Sequence, residues 1–60
     1  LQRIFGKCAV VIPYASFDYD ALELSVVQGE MVDVLEEKLG WALCKNSQNN
    51  IGWVPLRVFG

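Results

Sequence analysis

The sequence predicts an all-β fold: a small five-stranded barrel with a short 3₁₀ turn before its last strand. Short runs rich in β-branched residues alternate with period two, as in Met31-Val32-Asp33-Val34-Leu35, the signature of a half-buried strand. Gly, Pro and Asn break the chain about every ten residues, the spacing of a sandwich or barrel. The length, 60 residues, leaves room only for a small barrel. A chain this short buries roughly 60% of its unfolded surface and needs a dense core. An apolar content of 53% against 20% charged supplies one and excludes intrinsic disorder, which goes with low hydrophobicity and high net charge.

Residues 1–7 are expected to be a linker or domain edge, with the domain running over residues 8–60. Cys8-Ala9-Val10-Val11-Ile12 reads as the first strand, because β-branched side chains suit a pleated surface. Pro13 lacks a ladder donor and weakens pairing there. Ala15 to Leu22 reads as a long loop or irregular hairpin, and three acids, Asp18, Asp20 and Glu23, gather in and just after it. Leu24-Ser25-Val26 alternates, and Gln28-Gly29-Glu30 turns the chain, with Gly29 permitting a conformation a side chain would forbid. Met31 to Leu35 is the second strand. Glu36-Glu37-Lys38-Leu39-Gly40 reads as a charged loop closed by glycine; a helix over Glu30–Leu39 is opposed by the β-branched alternation and the lack of an N-cap.

Trp41-Ala42-Leu43-Cys44-Lys45 is the third strand, and Asn46-Ser47-Gln48-Asn49-Asn50 a polar turn of residues that bond their own backbone. Ile51-Gly52-Trp53-Val54 is the fourth strand, with Gly52 allowing a bend where a barrel closes and Pro55 stopping it. Leu56-Arg57-Val58-Phe59 is expected to form a tight turn and a last strand. By parity, Val26, Val32, Val34, Ala42, Cys44 and Val54 fill the interior. Trp41 shares its face with Leu43 and Lys45, away from the core.

Composition excludes several function classes. The net charge is -2, and the five basic residues, Arg3, Lys7, Lys38, Lys45 and Arg57, are scattered, so the basic stripe of a nucleic-acid binder is missing. An acidic surface suits a basic peptide partner. There is no histidine, and Cys8 and Cys44 have no metal-ligand spacing, so a zinc site and other cofactors are not expected. The two cysteines read as reduced thiols of a cytosolic protein rather than a disulfide. No apolar run approaches the roughly 20 residues of a membrane span, and the N-terminus does not read as a signal peptide. No nucleophile–base pair and no glycine-rich phosphate loop is present, so no enzymatic activity is expected.

The order of features resembles the Src-homology-3 family over about Cys8 to Phe59. Leu24-Ser25-Val26 followed by Gly29-Glu30 resembles that family's "LSF..GE" segment, Trp41 the tryptophan opening its third strand, and Gly52-Trp53-Val54-Pro55 its "G-[YWF]-[IV]-P" segment. The spacings between the three segments fit as well. Two placements of the family's N-terminal "ALYDY" motif compete. Either Val10-Val11-Ile12-Pro13-Tyr14 takes it, with a following loop about two residues longer than usual, or Ala15-Ser16-Phe17-Asp18-Tyr19 does, leaving that loop about three residues short.

The resemblance implies a protein-interaction module whose aromatic ridges take an extended proline-rich peptide, with loop acids pairing a ligand Arg or Lys. Mapped onto this chain, it implies a surface of Tyr14, Trp41 and Pro55, with Phe17 and Tyr19 in the loop as a lid or a further contact. Asp18, Asp20 and Glu23 are the acidic candidates, Glu36 flanks them, and Val58 takes the last wall position. Trp53 is expected to cover the barrel next to the third strand. Two departures stand out: Ile12 and Val58 occupy positions where groove aromatics are expected, and Arg57 stands where the family often carries asparagine. The implied role is that of a cytoplasmic adaptor, signalling or scaffold module, whose ligand is that proline-rich peptide or, given the two departures, an atypical motif. The alternative is a structural barrel packed against other domains of its parent protein, without a free peptide ligand.

Overall fold

Alternating burial along three strands sets the sheet. The computed structural model describes residues 6–16 and 22–60. They form β1 (Gly6–Ala9), β2 (Met31–Lys38), β3 (Trp41–Lys45), β4 (Ile51–Pro55) and a 3₁₀ helix, η1 (Leu56–Phe59). The strands make one antiparallel sheet in the order β1-β2-β3-β4. All six residues expected inside are buried: Val26, Val32, Val34, Ala42, Cys44 and Val54. Val10, Leu24 and Val58 complete the cluster, with Cys8, Tyr14, Leu56 and Phe59 packed against it. The core contains no buried polar or charged residue among the described ones.

Three expectations are corrected. The first concerns the apolar run at Cys8–Ile12. The strand starts at Gly6, within the stretch expected to precede the domain, and ends at Ala9. Val10 still bonds across to the Gly29–Glu30 turn, through Val10 N–H to the Glu30 carbonyl at 2.9 Å and Gly29 N–H to the Val10 carbonyl at 2.7 Å. Beyond it, the N–H groups of Val11 and Ile12 both donate to the Val58 carbonyl, at 2.7 and 3.1 Å. Pairing passes from the sheet to η1, and the two side chains are left exposed.

The second correction is the charged loop. Glu36, Glu37 and Lys38 belong to β2, paired with Leu43, Ala42 and Trp41. A bulge between Val34 and Glu36 absorbs one residue of mismatch, which bends and twists the strand. The turn is then only Leu39-Gly40, with φ of 52° and 84°. Positive φ at both central residues is the hairpin geometry whose twist matches the flanking strands. Leu39 is an unusual residue for it and lies 90% exposed, so the dipeptide gave no warning of a tight hairpin.

The third is the fifth strand. η1 takes up all of Leu56–Phe59, and Gly60 N–H closes it onto the Arg57 carbonyl at 3.2 Å. The described residues therefore form an unclosed four-stranded sheet with a 3₁₀ turn, consistent with an SH3-like fold. Among the described residues, no helix is long and apolar enough to cross a membrane. The Asn46–Asn50 turn is as expected: the Asn46 Oδ1 accepts from Gln48 and Asn50 N–H at 2.9 and 3.0 Å, and Asn49 takes a φ of 66°.

Leu24-Ser25-Val26 alternates as read, with Leu24 and Val26 buried and Ser25 exposed, but it is fastened by single bridges rather than a ladder. Glu23 bridges to Trp53 and Val26 to Tyr14. At the first crossing, Leu24 N–H donates to the Trp53 carbonyl at 3.0 Å and Trp53 N–H to the Leu22 carbonyl at 2.9 Å. Gly52 makes this crossing possible. A Cβ there would stand 2.8 Å from the Leu24 nitrogen and 2.9 Å from the Glu23 carbonyl carbon, both backbone atoms with nowhere to go. Gly52→Ala is expected to cost about 2–3 kcal/mol and lower Tm by roughly 10–20 °C, read by thermal unfolding.

Cys44 sits at 0% exposure with its thiol directed at the Ala42 carbonyl, 3.6 Å away. Burial, and secondarily the neighbouring Cys8 thiol, push it up to about 11 from 9.0. The folded state thus holds this proton more tightly than the unfolded chain. The resulting stability is complete below pH 9 and is lost as pH rises towards 11. Urea unfolding from about pH 8 to about pH 11 should show a loss on the order of 2 kcal/mol attributable to Cys44, absent in Cys44→Ala.

Candidate interaction surface

Three segments, carrying Glu23, Trp41 and Arg57, converge on the Tyr14 side chain. Its backbone is fixed to Val26 by a reciprocal pair of bonds, 2.9 and 2.8 Å. Trp41 follows the Leu39-Gly40 turn and stands across from Lys38 on β2 and Pro55 on β4. Its parity is as expected: Ala42 and Cys44 point inward, while Trp41, Leu43 and Lys45 stay partly exposed. Leu56 N–H donates to the Gly40 carbonyl at 3.0 Å, tying η1 to the hairpin end and so to the base of Trp41.

The rings of Tyr14 and Trp41 meet edge to face, with centroids 6.2 Å apart and planes at 79°, a favoured arrangement for aromatic quadrupoles. The Arg57 guanidinium carbon lies over the Tyr14 ring, 5.8 Å from its centroid, within cation–π range. At the far end of the same ring the phenol donates to the Glu23 Oε1 at 2.6 Å, a short charge-assisted bond. Ser16 Oγ is 3.4 Å from the same oxygen, and Ser16 N–H donates to Ser25 Oγ at 2.9 Å. The Tyr14 ring is thus fixed by Trp41 at its side, Arg57 over its face and Glu23 at its tip.

Of the residues singled out in the sequence, the structure brings together Tyr14, Trp41 and Glu23. Glu36 lies on β2 opposite Leu43, on the Trp41 face of the sheet rather than in a loop. Pro55 is buried and pairs with Trp41. Val58 is 0% exposed, in the core; its carbonyl, not its side chain, serves the surface, by holding Val11 and Ile12. Ile12 itself is 45% exposed. Phe17, Asp18, Tyr19 and Asp20 lie outside the described residues. Trp53 is opposite Leu43 on β3, where it was expected. Val10 lies in the core, and the Tyr14 ring packs against Trp41.

Arg57 is the member that sequence reasoning left out of the site. It registered only as a cation in an unusual place. Its position two residues past Pro55, in a turn bonded to the Trp41 hairpin, was the available signal.

Such a small antiparallel domain, with exposed aromatics gathered beside a 3₁₀ turn, has the architecture of a recognition module. The SH3 domain family model matches residues 14–56, most of the chain, and the protein belongs to the SH3 family. Members of that family are non-catalytic protein–protein interaction modules that bind protein or peptide partners. Among curated proteins, none matches the chain closely enough to count as a relative.

Removing only the phenol tests whether this cluster is built as described. Tyr14→Phe keeps the ring contacts and deletes the Glu23 bond. It should cost about 1 kcal/mol, a fall in Tm of roughly 4–8 °C, with the Trp41 indole environment retained by fluorescence.

Proposed function

We propose that this domain binds an extended, proline-rich peptide across the Tyr14–Trp41 surface, in an adaptor, signalling or scaffold role in the cytoplasm. The observation that carries the reading is the edge-to-face pair itself, two partly exposed rings locked at 79°. Polyproline II segments lose little entropy on docking because they are already extended, and prolines pack between fixed aromatic ridges. A ligand Arg or Lys would be taken by Asp18, Asp20 and Glu23, with Glu36 farther along the Trp41 face. The Glu23 carboxylate is held by Tyr14 and Ser16, so it loses little freedom on pairing. Pro55 and Val58 support the surface from below, and Phe17 and Tyr19 would extend it from the loop.

The binding is weak in this reading. Ile12 offers an aliphatic wall, and Val58 offers none because it is buried. A second reading, the barrel packed against its parent protein, is favoured by exposed apolar side chains at Val27, Met31, Leu35 and Leu39.

The test is a titration of the labelled domain with proline-rich peptides carrying Arg or Lys at either end, followed by amide shifts. Shifts confined to Tyr14, residues 18–23, Trp41 and Pro55 are expected, weakened by about tenfold or more in Trp41→Ala, as for an aromatic anchor. No shift at about 1 mM peptide, where even a binding free energy near -4 kcal/mol would register, would refute the proline-rich ligand and favour the packed barrel.

A further inference from the structure

Arg57 is exposed and lies over the Tyr14 ring, yet among the described residues the one ion pair within 4 Å is Lys7–Asp33. Its guanidinium has no carboxylate partner there. Glu23 lies at the other end of the same ring, bonded by the Tyr14 phenol and the Ser16 hydroxyl. Glu36 is placed opposite Leu43, farther along the sheet. A guanidinium that leans on a ring keeps its N–H donors at its rim, in the planar fork that matches a carboxylate. The stacking also restrains the long side chain in advance, which reduces the entropy lost when an anion binds. A second cation stands at the same surface: Lys38 is directly across the strand from Trp41. The Tyr14–Trp41 pair is therefore bordered by positive charge at η1 and at the end of the β2–β3 hairpin, although the chain as a whole carries a net charge of -2.

From this charge complementarity we infer that Arg57 reads an anion, and that the preferred partner is a peptide with an Asp or Glu carboxylate beside its proline core. The inference rests on the peptide-binding reading above and deepens it: the ligand is bipolar, with its basic residue towards Glu23 and its acid at Arg57. Arg57 acts here as a specificity-determining residue. The guanidinium carbon lies over the Tyr14 ring, 5.8 Å from its centroid, so a ligand gains by pairing with the guanidinium in place rather than by displacing it.

The experiment uses matched proline-rich peptides with Arg at one end and either Asp or Asn at each position flanking the proline core, titrated into the intact domain at about 0.05 M and about 0.5 M salt, where screening differs strongly. Affinities come from the amide shifts of Tyr14 and Trp41. At one position Asp should bind about fivefold tighter than Asn at low salt, and the advantage should shrink at high salt. Arg57→Gln should bring the Asp and Asn peptides to equal affinity, and Arg57→Lys should keep part of the Asp advantage. Arg57 is exposed, and the unchanged amide spectrum of the core verifies that each variant is folded. If Asp and Asn peptides bind equally at every position while Tyr14 and Trp41 still shift, the role of Arg57 is overturned and the peptide-binding reading survives. If no peptide of either kind shifts Tyr14 or Trp41, both are overturned together.

Discussion

The close crossing of Gly52 beneath the Glu23–Leu24 peptide is the constraint on which the rest of the domain depends. Two backbone bonds, Leu24 to Trp53 and Trp53 to Leu22, are formed there, and only a residue without a Cβ leaves room for them. The crossing delivers Leu24 to the core and brings Glu23 within reach of the Tyr14 phenol at 2.6 Å. Core packing and surface chemistry thus share one hinge point. Moving the peptide plane by an ångström would loosen both a buried leucine and the carboxylate that fixes the central aromatic ring.

The second organising element is η1. Its carbonyl at Val58 takes two N–H groups from the chain leaving β1, and its first N–H bonds the carbonyl of Gly40. Val58 itself fills the core. A four-residue turn therefore ties together β1's exit, the β2–β3 hairpin and the interior. Arg57 is carried on the exposed side of that turn, and its place over Tyr14 follows from the backbone bonds on either side of it. The candidate surface is held by backbone geometry, and its polar side chains Tyr14 and Ser16 bond Glu23, while Ser25 bonds the Ser16 N–H.

The interior obeys a simpler rule. It is made of valines, one alanine, one leucine and one thiol, with no buried side-chain polar atom left unpaired among the described residues. In a domain of this size the net stability is only a few kcal/mol, so one unpaired polar group would consume a large part of it. The Cys44 thiol fits because a protonated sulfur behaves as a small apolar group with a weak donor, and burial keeps it protonated.

Periodicity in the sequence was sufficient for the all-β class, the interior set Val26, Val32, Val34, Ala42, Cys44 and Val54 and the outward parity of Trp41, and residue type for the Asn46–Asn50 turn. These are properties of neighbours along one strand or within one turn, where side-chain direction follows from residue number. The aromatic pairing of Tyr14 with Trp41 was legible only as a family resemblance. The extent of β2 was not legible, because Glu36-Glu37-Lys38 has loop-like composition and becomes strand only through pairing with Trp41–Leu43. Nor was the burial of Val58, since a 3₁₀ turn and a strand direct the same residue to opposite sides. The partnership of Arg57 with Tyr14 joins residues far apart in the chain. It exists because η1 and the Tyr14–Val26 bridge meet in space, and no local pattern encodes a distance of that kind.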